Sequence, residues 1–207
     1  MDIRLKAKDS AVCFLFSQDG KRMLMSRRRH GPDIGRLDGI AGDVRLDETP
    51  PQGALRIIRE KTDIELVSNQ LHWLSSARLP MEMIPGTYGV PRTVENHYYA
   101  AVIDPAAVKQ APDEATSWEE TDWIMHARPQ DERLAGNGAI PGLVATAVSA
   151  LGFDVNSISV FYNILIGEDG DDYLYEERVP AHEVNAIKDK INKTLKQGAY
   201  IKVVPYN

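Results

Sequence analysis

The apolar pattern opens with a continuous run, Ala11 to Ser17, which predicts a buried strand. Gln18-Asp19-Gly20 is turn chemistry, and Met23 to Ser26 continues as a second strand, so the segment predicts a hairpin. A basic, glycine-containing loop follows, RRRHGPDIGRLDG, and then a short strand-like piece from Gly39 to Val44. Thr49-Pro50-Pro51 opens a helix. Thr49 has N-cap chemistry, and proline suits the first helical position, where its missing N–H is no loss. Ala54, Leu55, Ile58 and Thr62 recur at helical spacing and are expected to face the core, with the helix ending near Thr62-Asp63. Leu71 to Leu79 and Val94 to Asp104 read as strands, the second rich in β-branched and aromatic residues. Pro112 to Thr121 reads as an acidic loop and Trp123-Ile124-Met125 as a short strand. Ala139 to Leu151 reads as a helix stopped by Gly152.

From Phe153 the pattern changes to strand, turn, strand, helix, strand. Ser159 to Ile166 and Tyr173 to Val179 are the first two strands, joined by the turn EDGDD. That turn lacks the spacing and closing glutamate of a calcium loop. Val184, Ile187, Ile191 and Leu195 form one apolar helix face, which Gly198 terminates, and Tyr200 to Val204 is the last strand. A tail of this size buries too little surface to be stable alone. It is expected to pack on the main domain or on a second subunit. The expected division is therefore 1–152 and 153–207.

Composition changes this picture little. The chain has 207 residues, 43% hydrophobic and 26% charged, which is ordinary for a globular protein. A net charge of −6 argues against general nucleic-acid or membrane-surface binding. No run approaches the roughly 18 apolar residues of a membrane-spanning helix. The start, MDIRLKAKDS, lacks the apolar stretch of a signal peptide. The single cysteine, Cys13, lies in an apolar run and rules out an intramolecular disulfide framework. A cytoplasmic setting is the expectation.

The most informative stretch is Gly42 to Ile64, GDVRLDETPPQGALRIIREKTDI. It resembles a Nudix box, G-x5-E-x7-R-E-U-x-E-E-x-G-U with U aliphatic. Gly42, Glu48, Arg56, Ile58, Glu60 and Ile64 fall on the pattern in register, while Ile57, Lys61 and Asp63 break it. The resemblance extends upstream through Arg27, Gly35, Leu37, Gly39 and Ile40, with Ala41 in place of a glycine. It extends downstream through DEATSWEETDWI and GNGAIPGLVATAVSAL, covering about residues 8 to 152. It implies an α+β fold, an α/β/α Nudix sandwich with a mixed sheet, here followed by a small C-terminal ββαβ appendage.

The resemblance also implies a site. Nudix hydrolases hold a divalent cation, Mg or Mn, on three helix glutamates, whose counterparts here are Ile57, Glu60 and Lys61. Spacings of i, i+3 and i+4 are expected to put these three on one face. One negative and one positive charge then stand where the family has three negatives, and the lysine repels a cation at close range. Glu60 and Glu48 are the remaining metal candidates. Arg56 is expected to pair with Glu48 and hold loop against helix, and Gly42 to turn the loop before the helix; both also count as ligand-binding candidates. Asp63 replaces a glycine at a position that aspartate tolerates. Arg27, Arg28, Arg29 and His30 are candidate phosphate contacts, because arginine forks match phosphate oxygens. Lys61 is either a phosphate contact or a solvent-facing lysine. Glu114, ahead of Glu119 and Glu120, is the candidate loop base. Trp73, Trp118, Trp123, Tyr98 and Tyr99 either stack on a base or fill the core.

These features leave three functional expectations. The first is a domain that binds a nucleoside diphosphate-linked compound, ADP-ribose or nucleotide-like, with hydrolysis weakened or lost, acting as sensor, sponge or regulatory module and needing no metal. The second is a Mg- or Mn-dependent pyrophosphohydrolase using Glu60 with Glu114 as base. The third is a scaffold for a protein partner or homodimer through the tail.

Overall fold

The computed structural model describes residues 8–29, 33–80, 93–109, 116–128, 130–135, 138–159, 161–168, 171–196 and 198–206. Its centre is β1 (Lys8–Phe16), whose residues Ala11 to Phe16 are almost wholly buried because both sheet faces are covered there. A turn leads into β2 (Arg22–Arg27), with Leu15 opposite Leu24 and Phe16 opposite Met23. Gly20 makes that turn possible. Its φ is 71°, and the Phe153 ring lies so close that a Cβ would meet it at 2.8 Å. β3 (Leu37–Asp38) pairs with β2, and β4 (Ile40–Asp43) runs antiparallel to the first half of β1.

Helix α1 (Pro50–Thr62) begins as its sequence predicts. The Gln52 side chain accepts a hydrogen bond from the Thr49 N–H at 2.8 Å. It ends at Asp63, which adopts the left-handed conformation at φ 60°. β5 (His72–Pro80) and β6 (Thr93–Val102) are antiparallel, and β6 lies parallel to β1. With β7 (Thr116–Glu120), paired to β2, these strands form one seven-stranded mixed sheet.

Two elements differ from expectation. The acidic segment read as a loop becomes β7 at its end, because β2 offers a free edge to pair with. Trp123 to Met125, read as a strand, lies in the short helix α2 (Thr121–Met125), which buries Thr121, Asp122 and Ile124. Helix α3 (Ala139–Ala150) then covers one sheet face with Ile140, Val144, Ala147 and Val148, over Val12, Phe14, Phe16 and Tyr98. The other face carries α1, with Ala54, Ile57 and Ile58 packed on Ala11, Cys13, Leu15, Leu24 and Tyr99. The result is the expected α/β/α order around a mixed sheet.

Beyond α3, the Phe153 ring lies 5.9 Å from that of Phe16 at a tilt of 50°, and Ile158 of α4 (Val155–Ile158) joins the α3-side core. A separate antiparallel sheet follows, in the order β10-β8-β9: β8 (Phe161–Glu168), β9 (Asp171–Pro180) and β10 (Tyr200–Pro205). Helix α5 (Val184–Asn192) lays Val184, Ile187 and Ile191 against Ile164, Ile166, Val179 and Ile201. This is the expected ββαβ appendage.

Candidate ligand-binding site

Helix α1 and the loop before it meet around one guanidinium. Arg56 donates from Nε to Glu48 Oε1 at 2.6 Å and from Nη2 to Glu48 Oε2 at 2.9 Å, a bidentate fork. Its Nη2 also reaches the Asp43 carbonyl at 2.8 Å, and its Nη1 reaches Glu60 Oε2, one helical turn on, at 2.8 Å. Arg45 closes the network. Its backbone N–H donates to Glu48 Oε2 at 3.0 Å, and its Nη2 to Glu60 Oε1 at 3.1 Å. The Arg56 fork and the Arg45 N–H hold the Glu48 carboxyl down at about 2. The two carboxylates expected to hold metal are thus each bonded to two arginines. The loop–helix pairing of Arg56 with Glu48 is present as expected.

The expected single face of positions 57, 60 and 61 is not what the helix presents. Ile57 is fully buried beneath Gly42, where an added Cβ would lie 3.0 Å from Ile57 Cγ1. Gly42 lies within β4 and serves close packing, not a turn. Glu60 is exposed on the side of Arg56. Lys61 is half-buried on the side of Ile57 and Ile58, near enough to Cys13 for its charge to act on the thiol. Burial outweighs that charge and pushes the thiol up to about 12. Lys61 is therefore neither a core residue nor a fully exposed one, as a long side chain with an apolar stem allows. Leu55, expected in the core, is only half-buried.

The donor set does not fit a divalent cation held as in the family. Glu48 and Glu60 are neutralised by guanidinium groups, position 57 is an alkyl side chain in the core, and position 61 is cationic. Among the described residues, no three His, Cys, Asp or Glu stand together as a ligand cluster.

The basic loop is partly structural. Arg28 Nε pairs with Asp38 Oδ2 at 3.0 Å and its Nη1 with Asp33 at 3.3 Å, while Arg36 also holds Asp33. Asp38 is almost fully enclosed, and burial raises its carboxyl against the pull of Arg28. Arg27 is exposed and donates to the Gly35 carbonyl at 3.0 Å, and Arg29 is exposed. The identified partner of Arg27 lies in its own loop, not on α1. Glu119 and Glu120 are strand residues of β7, and Glu119 accepts from Ser117 Oγ at 2.7 Å. His30 and Glu114 lie outside the described residues.

Of the aromatic candidates, Tyr98 and Tyr99 are buried. Trp118 carries the Arg22 guanidinium at 5.6 Å and Trp123 that of Arg133 at 4.2 Å. Trp73 is 62% exposed. Sequence reasoning missed Arg45, whose side chain reaches a partner fifteen residues on. The signal available was its place between Gly42 and Glu48 in a loop that must fold back on the helix.

A mixed sheet between helices, with an Arg–Glu-clamped loop and helix on one face, defines a Nudix-type scaffold. The NUDIX domain model matches residues 6–137, more than half of the chain, and the chain belongs to that family. Over 69 residues it is 36% identical to the dihydroneopterin triphosphate diphosphatase of Escherichia coli K12, covering 33% of this chain and 45% of that protein. The chain thus spans less than half the length of that curated relative. The NUDIX domain of Shewanella oneidensis NrtR, solved with ADP ribose, superimposes with a TM-score of 0.53 at 18% identity, covering 73% of this chain and 94% of that one. A MutT protein from Methanosarcina mazei Go1 gives 0.52 at 15% identity, covering 73% and 99%. These two likenesses are of fold.

Proposed function

We propose that this Nudix-family chain binds a nucleoside diphosphate-linked compound, ADP-ribose or a nucleotide-like relative, with standard metal-dependent hydrolysis weakened or lost. One observation carries the reading. The closed Arg45–Glu60–Arg56–Glu48 network occupies both carboxylates that the family pattern leaves on this chain. One negative and one positive charge, Glu60 and Lys61, stand where the family has three negatives, and Glu60 is itself held by Arg45 and Arg56. Phosphate recognition then falls to cations, with half-buried Lys61 as the first candidate and exposed Arg27 and Arg29 as further ones. Such a domain would serve as a sensor, sponge or regulatory module in the cytoplasm, with residues 153–207 as a small second unit available to a partner or a second copy.

Calorimetric titration with ADP-ribose in EDTA and in Mg²⁺, run beside product analysis, tests this. Binding that survives EDTA and weakens at least ten-fold in Lys61→Ala, with no product formed, is the expected result. Metal-dependent turnover that Glu60→Gln abolishes would overturn it. That outcome belongs to a second reading, a pyrophosphohydrolase using Glu60 with Glu114. It is favoured by the 36% identity to a diphosphatase over 69 residues, and it requires Glu60 to leave Arg45 and Arg56.

A further inference from the structure

The small sheet ends on one side at β10, and among the described residues no strand pairs with its outer edge. β10 meets β8 in unbroken register from Tyr200 to Pro205. The Tyr206 N–H donates to the Phe161 carbonyl at 2.9 Å, which fixes the phase of the ladder. In an antiparallel ladder, alternate residues turn their N–H and C=O to the same neighbour. Tyr206, Val204, Lys202 and Tyr200 therefore face β8, whereas Ile201, Val203 and Pro205 turn their backbone groups outward. Proline has no N–H to leave unpaired, so the edge offers two donors and three acceptors.

The side chains leave this edge clear. Lys202 is the one charged residue of β10, and a lysine on an edge strand ordinarily keeps other strands away. Here its Nζ reaches inward across β8 and donates to Asp172 Oδ2 on β9 at 2.6 Å. Tyr200 leans the same way. It crosses Gly167, and its hydroxyl donates to Asp172 Oδ1 at 2.9 Å. The charge of the strand is thus neutralised within its own sheet. β9, the other edge, carries Asp171, Asp172, Glu176 and Glu177 with Arg178, so two copies of that edge repel.

We propose that β10 is a dimerisation edge, occupied by β10 of a second copy of this chain in antiparallel pairing about a two-fold axis at Val203. The Val203 N–H of each copy meets the partner's Val203 carbonyl, and each Ile201 N–H meets the partner's Pro205 carbonyl. Four bonds result, and every outward N–H of both strands is used. Tyr200 then stands opposite the partner's Tyr206, which pairs residues exposed in the single chain. An axis at Lys202 also makes four bonds, but it sets two lysines opposite each other and leaves Tyr206 beyond the pairing. The axis at Val203 joins the two small sheets into one, with both α5 helices on the same face. Residues 153–207, read above as open to a partner or a second copy, are thereby committed to a second copy, and the ligand reading stands apart from this one.

Sedimentation velocity of the full chain over a concentration series tests this. A small contact made by one strand edge predicts a dissociation constant on the order of 10–100 μM. Val203→Pro removes a donor that bonds nothing within its own sheet, and with it half of the cross-copy bonds. It should weaken the dimer about ten-fold or more while Tm stays close to wild type. Val203→Cys, treated with oxidised glutathione, should give a covalent dimer, because residues paired in this way stand about 5.5 Å apart at Cα. Tyr175→Cys, exposed on β9, is the control and should stay largely monomeric. Native Cys13 is buried and does not compete. Should Val203→Pro fail to fold, the two cysteine variants decide. A wild type that stays monomeric throughout, a folded Val203→Pro with undiminished dimer affinity, or equal cross-linking of the two cysteine variants overturns the pairing. ADP-ribose titrated into the same samples keeps the two readings apart. A monomer that binds it overturns the dimer alone, and a dimer that does not bind it overturns the ligand reading alone.

Discussion

The two sides of α1 have been put to opposite uses. The inner side, with Ala54, Ile57 and Ile58, is buried against the sheet and works by packing. The outer side, with Arg56 and Glu60, works by charge, clamping the loop through Glu48 and Arg45. In the family pattern both uses are joined by a glutamate at the position of Ile57. Here an alkyl group at that position joins the core, and the charge that remains outside is spent on arginines. The difference separates structural persistence from chemistry. A box can keep its shape through one side of a helix while its ionic side changes occupation.

The largest effect is expected from forcing the old chemistry back onto the inner side. Ile57→Glu places a carboxylate under Gly42 in a fully enclosed position and should cost more than about 3 kcal/mol in urea unfolding. A small loss with new Mg²⁺ binding would mean that the inner side still opens to the cleft.

An intermediate effect belongs to Glu48→Gln, which breaks the bidentate fork. Glu48 titrates at about 2 in the folded chain against an ordinary 4.5. The pair therefore contributes fully above pH 4.5, and the contribution is lost as pH falls toward 2. The gap in Tm between wild type and Glu48→Gln should be widest at neutral pH and close across that window. A gap independent of pH would assign the loss to packing.

The smallest effect is expected from Arg45→Ala. Its side-chain pair with Glu60 is 60% and 49% exposed, so stability should fall by less than about 1 kcal/mol. Its backbone bond to Glu48 survives the change. A loss as large as that of Glu48→Gln would show that the network is held by its exposed end.

Much of this was readable in the chain. The hairpin, α1 with its proline start, and α3 with its glycine stop follow from local pattern, and the Arg56–Glu48 pair from the box resemblance. The side of α1 that each residue takes was not readable. At about 100° per residue, positions 60 and 61 diverge from position 57 in opposite directions. Spacing alone leaves open which of them the sheet covers. The sheet chose Lys61 and left Glu60 outside. β7 and α2 were misread for a related reason. TSWEE pairs because β2 has an open edge, and TDWIM coils despite strand-like residues because burying Ile124, with Trp123 and Met125 packed beside it, decides its shape.

The outer strand of the small sheet has a separate consequence. β9 exposes every residue from Asp171 to Arg178, including Tyr173, Leu174 and Tyr175. Such a border invites other chains to add on. Its pairing with β8 slips twice, and Arg178 sits at φ 56°. An incoming strand would find regular spacing only over Asp171 to Leu174 before the backbone swerves. The border is sticky in composition but broken in geometry, a built-in guard against runaway fibre growth.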